Sequence, residues 1–285
     1  MNENEIETIY FELLNRYPSQ IEILQQKNVT NIRSQIKKST EYRNRLINIP
    51  RWNKYIESSK QYVNSIEPKF SNLNLNRCVL LIEPRCTHMI EYVIKNVYYH
   101  LEKGWSLVLC HGIKNEKFIK SLTQSYGDIY YINIRFDNIL PVSKTKQNEV
   151  PLYDILLKSK NFWCKIPFET IFLIQTDIIV CKKGVEQFCS YNYIGAPWKN
   201  KKVGCGGFSI RKRSECIKVC SLYSHSSKID EPEDVFFSKY IKNICPFNIA
   251  KSFCNESYIQ KDIIGIHQPW LSNQNFEILE SIRYS

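Results

Sequence analysis

Between residues 78 and 210 the chain alternates short apolar runs with amphipathic stretches, and this alternation narrows the possible folds more than any other feature. Cys78-Val79-Leu80-Leu81-Ile82 reads as a strand. Residues 88 to 101 then set Met89, Ile90, Val93, Ile94, Val97, Tyr98 and Leu101 on one helical stripe, which Gly104 should end before a strand over 105–110. A helix over 116–124, a tyrosine-rich strand over 128–134, a helix over 152–165 and a nearly all-apolar strand over 170–176 follow. Such alternation predicts an α/β fold, a mainly parallel sheet flanked by helices, with ligands bound beyond the carboxyl ends of the strands.

The first 75 residues differ. They contain no glycine, carry helix-period apolar positions (Ile6, Ile9, Tyr10, Leu13, Leu14) and run into an Asn/Ser-rich junction over 71–76. The expected organisation is therefore a helical appendage over 1–75 and a main domain over 76–285, with a polar, mobile loop over 137–150. With 43% apolar and 13% aromatic residues the chain can fill a core, yet no apolar run approaches the ~20 residues of a membrane-spanning helix. The acidic start, Met-Asn-Glu-Asn-Glu, lacks the basic opening of a secretory signal, so the expected location is cytoplasmic. Eleven cysteines without a Cys-x-x-Cys spacing suggest neither a zinc site nor a disulfide framework, and are expected as reduced, mostly core residues.

The net charge of +11 divides into +3 over residues 1–75 and +8 over the remainder, and favours anionic partners. An excess of Ile, Asn and Lys of the kind an AT-rich genome produces weakens any reading of the lysines. No helix-turn-helix, zinc finger or RNP-like segment occurs, so nucleic acid is not an expected partner.

Four places could carry chemistry. Asp177 stands where the apolar strand ends, so its carboxylate could hold a divalent cation, or simply cap a turn. Gly204, Gly206 and Gly207 are three of only nine glycines; they imply a close backbone approach, to a ligand or within a tight turn, and no P-loop signature follows them. Glu231, Glu233 and Asp234 open a helix, where acids complement the macrodipole and where one could also serve as a general base. His267, in Gly-Ile-His-Gln-Pro-Trp, could complete a metal shell or be a satisfied core group. His88, His100, His111 and His225 have no ligand-like neighbours in sequence.

Ile82-Glu83-Pro84-Arg85, Asn161-Phe162-Trp163, Gln175-Thr176-Asp177, Tyr193-Ile194-Gly195-Ala196-Pro197-Trp198, Gly206 to Arg211, Glu233 to Phe237 and His267 to Trp270 occur in an order that resembles one family. That family is held to be glycosyltransferases of the GT-A fold, long catalogued as a domain of unknown function and found in bacteria, protists and large DNA viruses. The resemblance spans about residues 76 to 271. It implies a hexosyl- or related sugar transferase working from a nucleotide-diphosphate sugar, with Mn²⁺ or Mg²⁺ and inversion at the anomeric carbon. It further implies donor binding by Glu83, Arg85, Gln175, Asp177, Gly206 and Gly207, metal binding by Asp177 and His267, and catalysis by Asp234 with Glu233. Trp198, Phe208 and Trp270 are candidates to stack on sugar or base, Trp198 and Trp270 at the acceptor, with a purely structural role as the alternative for each; for a viral member the location would be the host cytoplasm. Gln175 departs from the Asp-x-Asp pattern common in GT-A enzymes, which motivates an alternative: a module that binds a nucleotide sugar or glycan without turning it over. A nucleic-acid or membrane-surface role resting on charge alone is a third reading, marked by steep salt dependence.

Overall fold

The apolar runs become the interior strands of a six-stranded sheet. β1 (Arg77–Ile82), β2 (Ser106–His111) and β4 (Thr170–Ile174) are buried almost throughout, as continuous apolar runs covered on both faces should be. The computed structural model describes residues 31–71, 76–137, 152–223 and 231–282, with positions 5, 6, 9, 10, 13, 26 and 29. The strand order is β3-β2-β1-β4-β7-β6, where β3 is Ile129–Asn133, β6 is Tyr193–Gly195 and β7 is Phe208–Lys212. β3, β2, β1 and β4 run parallel, and β7 is antiparallel to both of its neighbours. A second sheet, β5-β9-β8, joins Ile178–Val180, Gly265–His267 and Cys254–Asn255.

Side chains alternate across the main sheet with period two. Cys78, Leu80, Ile82, Val108, Cys110, Ile171 and Leu173 share a core with Leu157, Phe162, Trp163, Val219, Phe236 and Phe237 from the later helices. The helix Met89–His100 buries Ile90, Val93, Ile94 and Val97, the stripe expected from sequence. Its buried Asn96 brackets β5: Nδ2 donates to Val180 O (3.1 Å) and Oδ1 accepts from Val180 N (2.8 Å), closing an edge that β9 leaves open.

The helix expected over 152–165 is two, Leu152–Leu157 and Lys160–Cys164. Ser159 is extended (φ −91°, ψ 119°), and the Trp163 indole takes the Leu157 carbonyl at 2.6 Å, so a side chain replaces helical hydrogen bonding at the break. Phe208, a candidate for stacking, is fully buried, edge-on to Phe172 and Phe253. It is a core residue and presents no face to a ligand. The polar loop expected over 137–150 lies outside the described residues beyond Asp137, as do Leu14 and residues 72–75 of the expected junction.

The chain divides into two compact units, Met1–Glu57 with Pro269–Ser281, and Ser58–Gln268 with Ile282–Ser285. Both sheets lie in the second. In the first, Ile6, Tyr10, Ile32 and Ile36 form a small core with Ile9, Leu13, Val29 and Tyr42. The C-terminal segment belongs here too: Asn44 Nδ2 donates to Leu271 O and Asn48 Nδ2 to Trp270 O, each at 3.1 Å. Trp270 meets Trp52 edge-on at 6.2 Å and lies under the Arg45 guanidinium. Hydrophobic periodicity marks such helices but cannot show that a segment more than 200 residues away joins them. No helix among the described residues is long and apolar enough to cross a membrane.

Candidate functional site

The strand order reverses between β1 and β4, which makes the gap beyond their carboxyl ends the topological switch point of the sheet. Glu83 and Arg85 follow β1, and Gln175 and Asp177 follow β4. Glu83 is buried and holds Arg85 bidentately, with Arg85 Nε to Oε1 and Nη2 to Oε2 both at 2.7 Å. The Arg85 side chain remains 43% exposed. Its pKa is raised, chiefly through the hydrogen bond to Glu83, with Asp177 also contributing. Thr176 Oγ1 reaches Glu83 Oε2 at 3.3 Å, which ties the two turns together. Buried Asn115, for which the sequence held no signal, donates to Glu83 O (2.8 Å) and Arg85 O (3.0 Å) and so shapes the first turn.

Asp177 and His267 meet because β5 and β9 pair in a register that sets Ile178 opposite His267. His267 Nε2 lies 3.1 Å from Gln175 Oε1 and 3.4 Å from Asp177 Oδ1. Gln268 N donates to Asp177 O (3.0 Å) from a left-handed backbone, φ +48°, a conformation that costs on the order of 1 kcal/mol outside glycine. The other ring nitrogen, Nδ1, faces Cys205 Sγ at 3.2 Å and Glu256 Oε1 at 3.6 Å. The donor atoms of Cys205, Glu256 and His267 all lie within 4.8 Å of one another, a spacing that a divalent cation can occupy. Thus the fold builds around His267 a donor group that cysteine spacing did not suggest. All eleven cysteines are unpaired and seven are buried.

Burial alone would lower the pKa of His267, but Cys205 and Asp177 outweigh it and raise the pKa well above the usual imidazole value. Burial likewise opposes ionisation of Asp177, and the His267 ring overcomes it to hold that carboxyl below its ordinary range. Burial pushes the Cys205 thiol up to about 12.

Gly207 is required here: a Cβ would run into the His267 ring and into Gln175 Oε1. Gly206 serves the opposite side, where a Cβ would collide with Glu233 Oε1 and Arg211 Nη2. Glu233 is buried against Arg211, with Nη1 to Oε2 at 2.6 Å and Nη2 to Oε1 at 3.0 Å, and Trp163, Tyr193 and Phe237 surround the guanidinium. Glu233 N donates to Asp154 Oδ1 (3.1 Å), which caps the helix Glu233–Tyr240.

Asp234, the next residue, has no such cation beside it among the described residues. Its carboxyl is half-buried, and burial followed by the charge of Glu233, with Glu256 and Asp154 adding, pushes its pKa up to about 8. Burial and Glu233 raise Asp154 in the same way, to about 6. Trp198 is half-buried with its ring over Gly204, at the start of a lysine-rich turn. Trp270 is placed in the other compact unit. The structure therefore brings Gln175, Asp177, Gly207 and His267 together, with Glu83 and Arg85 joined to them through Thr176 and Asp177, and sets Gly206 and Glu233 behind them. Sequence reasoning passed over Cys205, although it sits inside the glycine run, and Glu256 and Asp154, which carry no local signal.

Residues 138–268 match the family model described as a protein of unknown function (DUF5672). That is a little under half of the chain, and it contains Gln175, Asp177, Gly206, Gly207, Glu233, Asp234 and His267. The expected resemblance to a family of unknown function is borne out. No curated protein matches the sequence. Among solved structures, the chain is similar to the apo-form glycosyltransferase GlyE of Streptococcus pneumoniae TIGR4, at 10% identity and a TM-score of 0.45, over 74% of this chain and 60% of that one. It is also similar to mouse xyloside xylosyltransferase 1, apo form, at 9% identity and a TM-score of 0.43, over 70% and 99% respectively. The chain thus spans only about three-fifths of the GlyE structure that it matches.

Proposed function

We propose that the protein is a GT-A-type glycosyltransferase that moves a sugar from a nucleotide-diphosphate sugar to an acceptor hydroxyl, with inversion. The observation that carries this reading is the convergence of Gln175, Asp177 and His267 at the switch point, against Gly207, whose missing Cβ lets the imidazole and the amide close on the backbone. One carboxylate oxygen, one amide oxygen and one imidazole nitrogen make a donor set that suits Mn²⁺ or Mg²⁺ shared with phosphate oxygens. A cation held by Asp177 and His267 would neutralise charge that develops on the departing diphosphate.

The remaining work falls to the chain's own groups. Arg85, locked by Glu83 yet open to solvent, supplies fixed positive charge to the same diphosphate. Gly206 and Gly207 support the donor site indirectly, by letting the Arg211–Glu233 pair and the His267–Gln175 pair close on the backbone from its two sides. As the bond from the anomeric carbon to the diphosphate oxygen breaks, its electron pair leaves with the diphosphate. The acceptor oxygen bonds to the carbon from the opposite face and gives its proton to the Asp234 carboxylate. A base that titrates near 8 is matched to that task near neutral pH. Glu233, neutralised by Arg211, acts by positioning Asp234 rather than by touching substrate.

A thermal-shift screen of nucleotide sugars with and without Mn²⁺ tests the donor and the metal together, because a ligand that binds only the native state raises Tm. One nucleotide sugar should raise Tm, more so with Mn²⁺, and Asp177→Ala should lose both that rise and donor turnover while still melting cooperatively. Full turnover in Asp177→Ala would remove the assignment. Binding without hydrolysis or transfer of a radiolabelled donor would instead favour the non-catalytic module that Gln175 motivates.

A further inference from the structure

His267 presents its two nitrogens to two chemically different surroundings. Nε2 faces two oxygens, from Gln175 and Asp177. Nδ1 faces a thiol and a second carboxylate. In the latter set the donor atoms, one each from Cys205, Glu256 and His267, lie within 4.8 Å of one another. A tetrahedral ion bound at about 2.0–2.3 Å holds its ligands about 3.3–3.8 Å apart, and the 3.2 and 3.6 Å separations from Nδ1 are close to that.

Each donor is held by backbone geometry. β8 and β9 pair in parallel with Asn255 opposite Ile266, so Glu256 and His267 leave their strands side by side. Asn255 fixes the chain after Glu256 through Nδ2 to Gln260 O and Gln260 N to Oδ1, both at 2.8 Å. Cys205 N donates to Ala196 O at 3.1 Å, and Gly195 lets the Cys205 carbonyl pack against it without a Cβ between them. Glu256 Oε2 is buried with no hydrogen-bond partner among the described residues. A buried carboxylate oxygen left bare is costly, and a cation beside it would satisfy it.

We propose that Cys205, Glu256 and Nδ1 of His267 form a zinc site, separate from the Asp177 face of the same ring. Thiolate, carboxylate and imidazole together favour zinc over the Mn²⁺ or Mg²⁺ suited to an oxygen-rich face. One consequence rests on the transferase reading above. With zinc on Nδ1, the ring keeps its proton on Nε2 and donates it to Gln175 or Asp177, so it cannot ligate a second cation there. Zinc then antagonises donor binding that depends on Mn²⁺.

Cobalt(II), a spectroscopic substitute for zinc, tests the site on the full chain with no donor present. One equivalent should bring up a thiolate-to-cobalt charge-transfer band that zinc abolishes. Cys205→Ser should lose the band, Glu256→Gln should weaken cobalt binding by about tenfold or more, and Asp177→Ala should keep it. The comparison with Cys205→Ser discounts the exposed thiols Cys86 and Cys164. Should Cys205→Ser fold poorly in a thermal melt, Glu256→Gln decides the matter. A band that survives both changes, that requires Asp177, or that never appears overturns the site. If the site stands, zinc should raise the Mn²⁺ needed for the donor-induced Tm rise in the unsubstituted chain and not in Cys205→Ser. Absence of any donor-induced rise would count against the transferase reading and leave the cobalt result untouched.

Discussion

Two sides of one glycine pair show how burial and partnership separate a scaffold from a site. Behind Gly206, Arg211 and Glu233 are both buried, bidentately paired and enclosed by aromatic rings, so every charge is answered. Before Gly207, Gln175, Asp177, Cys205 and Glu256 crowd round the single imidazole of His267, and one Glu256 oxygen is left without a hydrogen-bond partner among the described residues. The first region is costly to disturb and has nothing left to bind. The second has unspent donors, as a ligand site requires. Glu233 and Asp234 make the same contrast within two residues: one has its cation and shows it by a salt bridge, whereas the other has none among the described residues, and burial with the charge of Glu233 pushes its pKa up to about 8.

The contrast is most easily broken by stability. Arg211→Met leaves Glu233 buried without its cation and should cost about 3–5 kcal/mol in urea unfolding. Asp177→Asn should cost far less, because a neutral imidazole still suits Gln175. Equal losses would show that both sides are scaffold.

Asp234→Asn should lower transfer by about 10²–10⁴-fold, and the rise of the wild-type rate as pH increases through about 8 should vanish. The same residue gives a stability signature of defined sign. Its folded pKa lies above its ordinary value of 3.8, so its stabilising protonation is complete below that pH and is lost as pH climbs towards 8. Asp234→Asn should therefore melt above wild type at pH 9, and the gap should close by about pH 4; a gap that widens towards acid would reverse the assignment.

Adjacent alanine substitutions sharpen the comparison further. Gly206→Ala should lose about 1–3 kcal/mol by overpacking the Arg211–Glu233 pair. Gly207→Ala should lower Mn²⁺-dependent donor binding as well as stability, since its Cβ would meet the buried His267 ring, engaged at both nitrogens, and Gln175 Oε1. The smallest effect is expected at the exposed Lys182–Asp262 pair, where Lys182→Ala should change stability by no more than about 1 kcal/mol and leave donor binding intact.

Much of the fold was legible because period-two and period-3.6 apolar patterns are local. They located β1 to β4 and the helices between them to within a few residues, and showed that Glu83 and Asp177 close strands. The break at Lys158–Ser159 escaped because a tryptophan indole, not a turn residue, takes the helical carbonyl. The role of Phe208 stayed open because an aromatic beside a glycine run has the same sequence appearance whether it faces a ligand or Phe172 and Phe253.

From sequence alone came the strand and helix order, the carboxyl-end acids, the glycine run and the acidic helix start, since each depends on neighbours along the chain. Tertiary structure alone decided that β5 and β9 pair, and with them whether Asp177 ever meets His267. It also decided that Glu256 and Cys205 join the same ring and that Arg211 answers Glu233 but not Asp234. Those outcomes depend on strand register and on the packing of side chains far apart in sequence, and a one-residue slip in β9 would turn His267 to the other face of its sheet.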